Sequence, residues 1–110
     1  MSYQSLKYSQ SDNAIALLHE LSDEVSYRII SSTFDSAKTI TQISIENEIP
    51  LSSTYKKIKK LVKSRILRIE KITIDKSGKK VIFYKSKIQN IEFKIGVQGV
   101  TLELNSLVST

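Results

Sequence analysis

The sequence predicts an α+β fold in which three helices precede two β-hairpins. Up to about residue 65, apolar residues recur every three or four positions, which is typical of amphipathic helices. From Ile66 onward, runs rich in β-branched residues come in two pairs, and a short turn containing glycine separates the members of each pair. The third observation is a strongly basic stretch, Ile49–Arg68, which lies where the helical pattern ends. We expect this stretch to carry the function.

Composition narrows the class of protein. A length of 110 residues suits one domain with a single core. No apolar run approaches the roughly 18 residues of a membrane span, and the N-terminus lacks the apolar segment of a signal peptide. We therefore expect a cytoplasmic, nucleoid-associated protein with no membrane partner. The chain has no cysteine and one histidine, His19, so we expect no disulfide, no metal and no cofactor.

Charge is divided unevenly along the chain. The net charge is +6, but residues 1–48 hold three basic and seven acidic side chains, whereas residues 49–110 hold fourteen basic and four acidic ones. Such a division concentrates positive potential on one part of the molecule, which favours a polyanionic partner. The alternative is that the lysines only keep the surface solvated.

The N-terminal third predicts a tail and then helix. Residues 1–11 are polar and lack a period, so we expect a loose, flexible tail. A helical pattern begins at Asn13 and continues to about Phe34, as one bent helix or as two short ones. Ser22 is a candidate N-cap for the second of these, because its hydroxyl could accept from free backbone N–H groups.

A short helix and a basic helix follow in close succession. Thr39 can cap a helix from Ile40 to about Asn47, and Ile45 on that helix is predicted to point outward. After a tight connection through Pro50, Ser52 is a candidate N-cap for the second helix.

A helical wheel assigns two faces to the basic helix. The buried stripe is predicted to contain Leu51, Tyr55, Ile58 and Val62, with Leu61 at its edge. The opposite face would then contain Ser53, Lys56, Lys57, Lys60 and Lys63. Tyr55 is assigned to the core with a polar tip, in preference to a role in which its hydroxyl meets a phosphate.

The first hairpin pairs Ile66–Ile74 with Val81–Ile88. We expect Ile74 opposite Val81, Ile72 opposite Phe83 and Glu70 opposite Lys85. The apolar parity changes near Glu70, which predicts a bulge there. In the basic loop Gly78 supplies a positive φ.

The second hairpin is predicted over Ile91–Leu104, with a Gln98-Gly99 turn. Its pairs would be Val97 with Val100, Ile95 with Leu102, Phe93 with Leu104, and Lys94 with Glu103. One of its faces is wholly apolar, and either the N-terminal helix or a second subunit must cover it. The expected division is therefore a tail (1–11), a domain (12–90) and a C-terminal hairpin (91–110) that packs on the domain or on a dimer partner.

This order of elements is that of a winged helix-turn-helix domain, a three-helix core with a β-hairpin wing, here extended by a C-terminal β-hairpin. The sequence also resembles the ArsR-type winged-helix transcriptional regulators that are common in archaea. The matching stretches span residues 21–88: L-S-D-E-V-S-Y-R-I-I (21–30), I-T-Q-I-S (40–44), I-P-L-S-S-T-Y-K-K-I-K-K-L (49–61) and G-K-K-V-I-F-Y-K-S (78–86). The segment that begins at Ile49 is the most specific of these.

The resemblance implies a homodimeric transcriptional regulator that binds double-stranded DNA in a sequence-dependent manner. The helix at about Ser52–Ser64 would enter the major groove, and the wing at Lys76–Lys80 would lie along the backbone or minor groove. The residues that would read bases are Ser52, Ser53, Thr54, Lys56 and Lys57. Those that would contact the DNA backbone are Thr39, Lys60, Lys63, Arg68, Lys76, Lys79 and Lys80.

The sequence departs from the family pattern at three places. Glu48 stands where the turn often has glycine, and Ser64-Arg65 stands where the recognition helix often ends on glycine. The cysteines or histidines of metal-sensing members are missing, so metal sensing is not implied.

Three other functions are less favoured by the residues. The main alternative is a protein–protein interaction module of the transcription or replication machinery, which the outward Ile45 and the terminal hairpin favour. Binding of RNA or of single strands is disfavoured because the basic face lacks aromatic stacking platforms. We expect no enzyme activity, because no phosphate loop and no nucleophile with a base occur.

Overall fold

The computed structural model describes the backbone of residues 2–9, 12–97 and 99–108, and the side chains of residues 14–88, 90–97 and 99–105. Over these residues the fold is α+β, with four helices and two antiparallel hairpins, and it is compatible with a helix-turn-helix followed by a wing. The elements are β1 (Ser2–Ser9), α1 (Asp12–Leu21), α2 (Glu24–Ser32), α3 (Ile40–Asn47), α4 (Leu51–Lys63), β2 (Leu67–Ile74), β3 (Lys80–Ser86), β4 (Ile88–Gly96) and β5 (Gly99–Val108). None of the described helices has the length and apolar character needed to span a membrane.

The chain forms two compact units whose boundaries differ from the predicted ones. Residues Glu24–Ser86 make the first, which we call the helical unit. The residues up to Asp23 and those from Lys87 onward make the second, which we call the sheet unit. The predicted division at residues 12–90 and 91–110 differs because the N-terminal segment pairs with the C-terminal strands.

The core of the helical unit is built from aliphatic side chains of α2, α3 and α4, of the short connections that follow α3 and α4, and of the start of β2. Its fully or almost fully buried members are Ile29, Ile30, Ile43, Ile49, Ile58, Leu61, Ile66 and Leu67. Hydrogen bonds then join the end of α2 to the end of β3: the Ser86 hydroxyl donates to Ile30 O at 2.8 Å, and Ser86 N donates to Thr33 O at 3.0 Å. The hairpin is thus fixed at its base to the helices.

The connection from α3 to α4 is defined by hydrogen bonds at both ends of α3. Thr39 caps the helix as predicted: its hydroxyl accepts from Gln42 N at 3.1 Å, and the Gln42 side chain accepts from Thr39 N at 2.9 Å. This reciprocal pair is a capping box. At the other end Glu48 has φ 54°, a left-handed conformation that ends the helix, and Ile49 N donates to Ser44 O.

Two predicted N-caps are wrong. Helix α4 begins at Leu51, so its N-cap is Pro50, which has no hydroxyl, and Ser52 lies inside the first turn. Helix α2 begins at Glu24, and the Ser22 hydroxyl donates instead to His19 O, at 2.9 Å. In each case the helix boundary differs from the expected one by one or two residues, which removes the serine from the capping position.

Strands β2 and β3 form the first hairpin in a register that differs from the predicted one by one residue. Ile74 lies opposite Lys80 and Ile72 opposite Ile82, rather than opposite Val81 and Phe83. The reason is the loop, where Asp75 N donates to Lys79 O, so that the loop closes one residue earlier than expected. The predicted bulge is confirmed: the register shifts between Ile69 and Lys71. Gly78 has the expected positive φ, 83°.

The sheet unit contains a three-stranded antiparallel sheet in the order β1-β5-β4. The expected tail is therefore wrong over Ser2–Ser9, because these residues pair along β5 from Val108 to Thr101. The strand is defined by its pairing with a distant segment, which local periodicity does not indicate. Met1, Gln10 and Ser11 lie outside the described residues.

The second hairpin also differs in register. Ile95 lies opposite Val100, Phe93 opposite Leu102 and Lys94 opposite Thr101, because Gly96 pairs with Gly99 and only two residues link them. The shift of two positions keeps the same residues on the same face. The predicted turn includes Gln98, which lies outside the described residues.

Helix α1 lies against β5 and β1 and covers part of the apolar face. Leu102 and Leu104 are buried there, together with Ala14 and Leu17 of the helix. From the sequence, either the N-terminal helix or a second subunit could cover the apolar face. Over β5, the central strand, it is the N-terminal helix that covers it. Ile95, near the hairpin tip, remains exposed.

Candidate nucleic-acid interface

The buried stripe of α4 is rotated from the predicted one. Thr54, Ile58 and Leu61 are buried, whereas Leu51 is 48% and Tyr55 59% exposed. At about 100° per residue, the buried centre moves by roughly 60° toward Leu61. A threonine, which the pattern of apolar residues overlooked, belongs to the core, because its hydroxyl donates to Pro50 O at 3.0 Å and leaves its methyl group free to pack.

The rotation separates the five residues that were predicted to read bases. Ser52, Ser53 and Lys56 are exposed in the first turns of α4. Thr54 is fully buried, so it cannot reach a ligand on the outer face and is removed from the candidate set. Lys57 is half-buried at the side of the helix.

The same rotation brings a residue into the site that the sequence did not indicate. The helical wheel drawn from the sequence does not place Lys59 on the outer face. In the structure it is exposed, on the side that contains Ser52, Lys56 and Lys63. A helical wheel centred between Ile58 and Leu61 puts Lys59 on the outer face, but that centre is known only from the burial of Leu61 in the structure.

The remaining predicted backbone contacts lie in different settings. Lys60 and Lys63 are exposed in the last turns of α4. Arg68, on β2, forms an ion pair with Glu70 at 2.9 Å. Thr39 is engaged within α3: its hydroxyl accepts from Gln42 N, its N–H donates to the Gln42 side chain, and its carbonyl accepts from Ile43 N. The predicted phosphate contact through its backbone N–H would therefore have to replace the bond to Gln42.

The loop of the first hairpin is shaped by one carboxylate. Asp75 Oδ1 accepts from the Ser77 hydroxyl at 2.7 Å and from the backbone N–H groups of Ser77 and Lys79, both at 2.9 Å. The hydroxyl first, and then the Lys79 N–H, hold the pKa of Asp75 below its ordinary value. Lys76, Lys79 and Lys80 are all exposed around this ordered loop.

A groove of about 390 Å³ lies between this loop and the first turns of α3 and α4. Its apolar lining includes Leu51, Tyr55 and Ile82, and Lys79 and Lys80 also line it. Tyr55 thus borders a groove and is not core, which contradicts the preferred prediction and leaves its hydroxyl available to an outside partner. Across the groove, burial raises the pKa of Tyr84, and the neighbouring Tyr55 adds to the effect.

The arrangement therefore offers one surface of hydroxyl and ammonium groups, which we call the α4 outer face: Ser52, Ser53, Lys56, Lys59, Lys60 and Lys63. Helix α4 itself contains no carboxylate. Serine hydroxyls can donate or accept, and lysines can donate to base edges or to phosphates. The described residues contain no cluster of three side chains suited to a metal ion.

Comparison with known proteins gives no independent assignment. No protein-family model matches the chain, and no relative was found among curated proteins. The resemblance to ArsR-type regulators therefore remains a prediction that stands on the quoted stretches.

Proposed function

We propose that this protein is a winged helix-turn-helix transcriptional regulator that binds double-stranded DNA in a sequence-dependent manner. The observation that carries the proposal is the α4 outer face, an exposed surface with four lysines, two serines and no acid on the same helix. B-DNA presents about one negative charge per 1.7 Å of its axis, so such a surface gains affinity from the release of counterions. In this proposal α4 lies in the major groove.

The turns on either side of α4 support the fold assignment. The family often has glycine at two positions where this chain has Glu48 and, at the end of α4, Ser64-Arg65. Glu48 and Arg65 have φ of 54° and 65°, the left-handed conformation that glycine adopts most easily. The backbone geometry of those glycines is therefore present although the glycines are absent, which removes two of the three departures as objections.

Roles within the proposed interface follow from position on the helix. The first turns of a recognition helix reach deepest into the groove. Ser52, Ser53 and Lys56 are therefore proposed to contact base edges. Lys59, Lys60 and Lys63, further along, would contact phosphates, and the loop lysines Lys76, Lys79 and Lys80 would contact the neighbouring backbone or minor groove.

The test is fluorescence anisotropy on pools of duplex DNA across a salt series. We expect a subset of sequences to bind tightly. The logarithm of the affinity should fall by about 0.9 per log unit of salt concentration for each phosphate neutralised. The triple variant Ser52→Ala, Ser53→Ala, Lys56→Ala should lose most of its preference between sequences. Lys94→Ala, an exposed lysine of the sheet unit, is the control and should retain it.

Equal, weak binding of all duplexes by the wild type and the triple variant would reject sequence-dependent recognition. The second candidate function, a protein–protein interaction module, would then take its place. The observation that favours it is Ile45, which is 71% exposed on α3.

A further inference from the structure

The outer edge of β2 is an unpaired strand edge. In the described part of the chain β2 has a strand neighbour, β3, on one side only. Every residue of β2 after Leu67 is exposed, including Ile69, Ile72 and Ile74. A long exposed edge with β-branched residues is a template for pairing with another strand, and proteins usually protect such edges.

Hydrogen bonds on the far side of β3 determine which β2 groups point outward. Tyr84 N donates to Lys38 O at 2.8 Å, and Lys38 N donates to Tyr84 O at 2.9 Å. The backbone groups of Tyr84 thus point away from β2, so Tyr84 and the opposite Ile69 form a non-hydrogen-bonded pair. The N–H and C=O of Ile69 therefore face the outer edge, and by alternation so do those of Leu67.

The loop defines the outward groups beyond the bulge. Asp75 N points inward, because it donates to Lys79 O. By alternation Thr73 and Lys71 also point inward, and Ile72 and Ile74 point outward. The outward residues are therefore Leu67, Ile69, Ile72 and Ile74, with the bulge in the middle of the set.

This spacing is self-complementary. When β2 of a second copy is placed antiparallel, with the two-fold axis between Glu70 and Lys71, Ile69 meets Ile72 of the second copy and Leu67 meets its Ile74. Every outward backbone group then faces another outward group. The bulge, which would interrupt pairing with an ordinary strand, is matched because each copy places its own bulge at the axis.

The charges agree with the same register. Glu70 of each copy lies opposite Lys71 of the other. The register therefore gives two Glu–Lys ion pairs, one on each side of the axis. Glu70 now forms an ion pair with Arg68, and Lys71 Nζ lies 4.6 Å from the centre of the Phe83 ring. These exposed contacts contribute little and can rearrange at small cost.

We infer that β2 is the homodimer interface of this protein, pairing edge to edge with β2 of a second copy. The contact is isologous, so it closes at two copies and gives a four-stranded sheet in the order β3-β2-β2-β3. Lys38 already occupies part of the other edge of β3, which discourages further addition. The inference does not require DNA binding, and it is tested without DNA.

The test is sedimentation equilibrium of the full chain with charge-reversed variants. Glu70→Lys places Lys opposite Lys, and Lys71→Glu places Glu opposite Glu, so each variant alone should dissociate at least tenfold more easily than the wild type. An equimolar mixture should recover the dimer, because the mixed pair places Lys opposite Glu on both sides of the axis. The double variant Glu70→Lys, Lys71→Glu should recover it as well.

Lys79→Glu is the matched control, since it makes the same charge change in the loop of the same hairpin. It should leave the dissociation constant within about twofold of that of the wild type. A wild type that is monomeric at high concentration, or single variants that dimerise as the wild type does, would overturn the inference. Mixed dimers of Lys79→Glu with Glu70→Lys that form as tightly as mixed dimers of Lys71→Glu with Glu70→Lys would also overturn it, because net charge alone would then account for the recovery.

Discussion

At the scale of single residues, exposure on α4 separates lysines that the sequence treats alike. Lys57 and Lys59 are two positions apart in one basic run, yet Lys57 is half-buried at the side of the helix and Lys59 is exposed on the outer face. The 3.6-residue period makes them face different directions. The difference in exposure between the two lysines therefore shows how α4 is rotated about its axis.

We predict that Lys59→Ala weakens DNA binding more than Lys57→Ala does. The loss of one phosphate contact should reduce the salt slope by about 0.9 for Lys59→Ala, whereas Lys57→Ala should leave the slope nearly unchanged. Anisotropy titrations at several salt concentrations measure both slopes. The opposite order would indicate that the side of the helix, and not the outer face, meets the DNA.

Asp75 gives a residue-scale prediction about pH. Its folded pKa lies below the ordinary value of 3.8, so its hydrogen bonds favour the ordered loop above that pH. This contribution is lost as pH falls through the lower folded value. Amide chemical shifts of Ser77 and Lys79, followed by NMR, should therefore titrate with a midpoint below 3.8. In Asp75→Asn both amides should lose this titration, with Glu92→Gln as an unaffected control.

At the scale of elements, the buried stripe of α4 can be tested by a pair of identical substitutions. Leu61 is fully buried, and Leu51 is half-exposed on the same helix. Leu61→Ala should lower the free energy of unfolding by about 2–5 kcal/mol, because it leaves a cavity in the core. Leu51→Ala should cost less than about 1 kcal/mol. Urea denaturation measures both, and equal costs would contradict the rotated stripe.

The caps of α3 give a second element-scale prediction. Thr39→Ala removes the hydroxyl that accepts from Gln42 N, and it should cost about 1 kcal/mol of stability. Thr41→Ala, an exposed position in the first turn of the same helix, is the control and should cost only a few tenths. Chemical denaturation followed by circular dichroism gives the two values.

The elements themselves were predictable, and their exact registers were not. Helical periods, the Thr39 cap and the bulge near Glu70 all followed from local sequence. The register of the first hairpin depended on which atoms Asp75 binds, and β1 depended on a partner about a hundred residues away along the chain. The bonds of Asp75 are local, but residue types alone do not determine which turn they close; the pairing of β1 is non-local and lies outside any local pattern.

The candidate site was predictable to a similar degree. The basic helix could be found from composition, and Ser52, Ser53 and Lys56 are indeed exposed. The burial of Thr54 and the exposure of Tyr55 and Lys59 could not be found. They depend on where α4 meets the rest of its unit, and a threonine counts as polar in a pattern even when its hydroxyl is satisfied by Pro50 O.

At the scale of the whole molecule, charge follows the division into two units. The helical unit has fourteen basic and six acidic side chains, and the sheet unit has three basic and five acidic ones. The positive charge therefore belongs to the helical unit, and the sheet unit carries a small excess of negative charge. Long-range attraction of DNA should act mainly on the helical unit.

We therefore predict that two equal changes of charge have unequal effects. Lys76→Glu, in the loop of the helical unit, should weaken DNA binding severalfold more at low salt than Lys94→Glu in the sheet unit. The difference should shrink as salt rises, because screening shortens the range of the field. Equal losses in a salt series would mean that only net charge matters.

The left-handed residues in the turns before and after α4 also bear on how this protein can change over time. Glu48 and Arg65 each adopt a conformation that costs a residue with a Cβ about 1 kcal/mol or more. Replacing both with glycine should therefore raise the free energy of unfolding, and the net charge stays the same because one acidic and one basic residue are removed. A lineage that acquired those glycines could tolerate costly substitutions on the α4 outer face. New DNA preferences could then be explored without loss of the folded state.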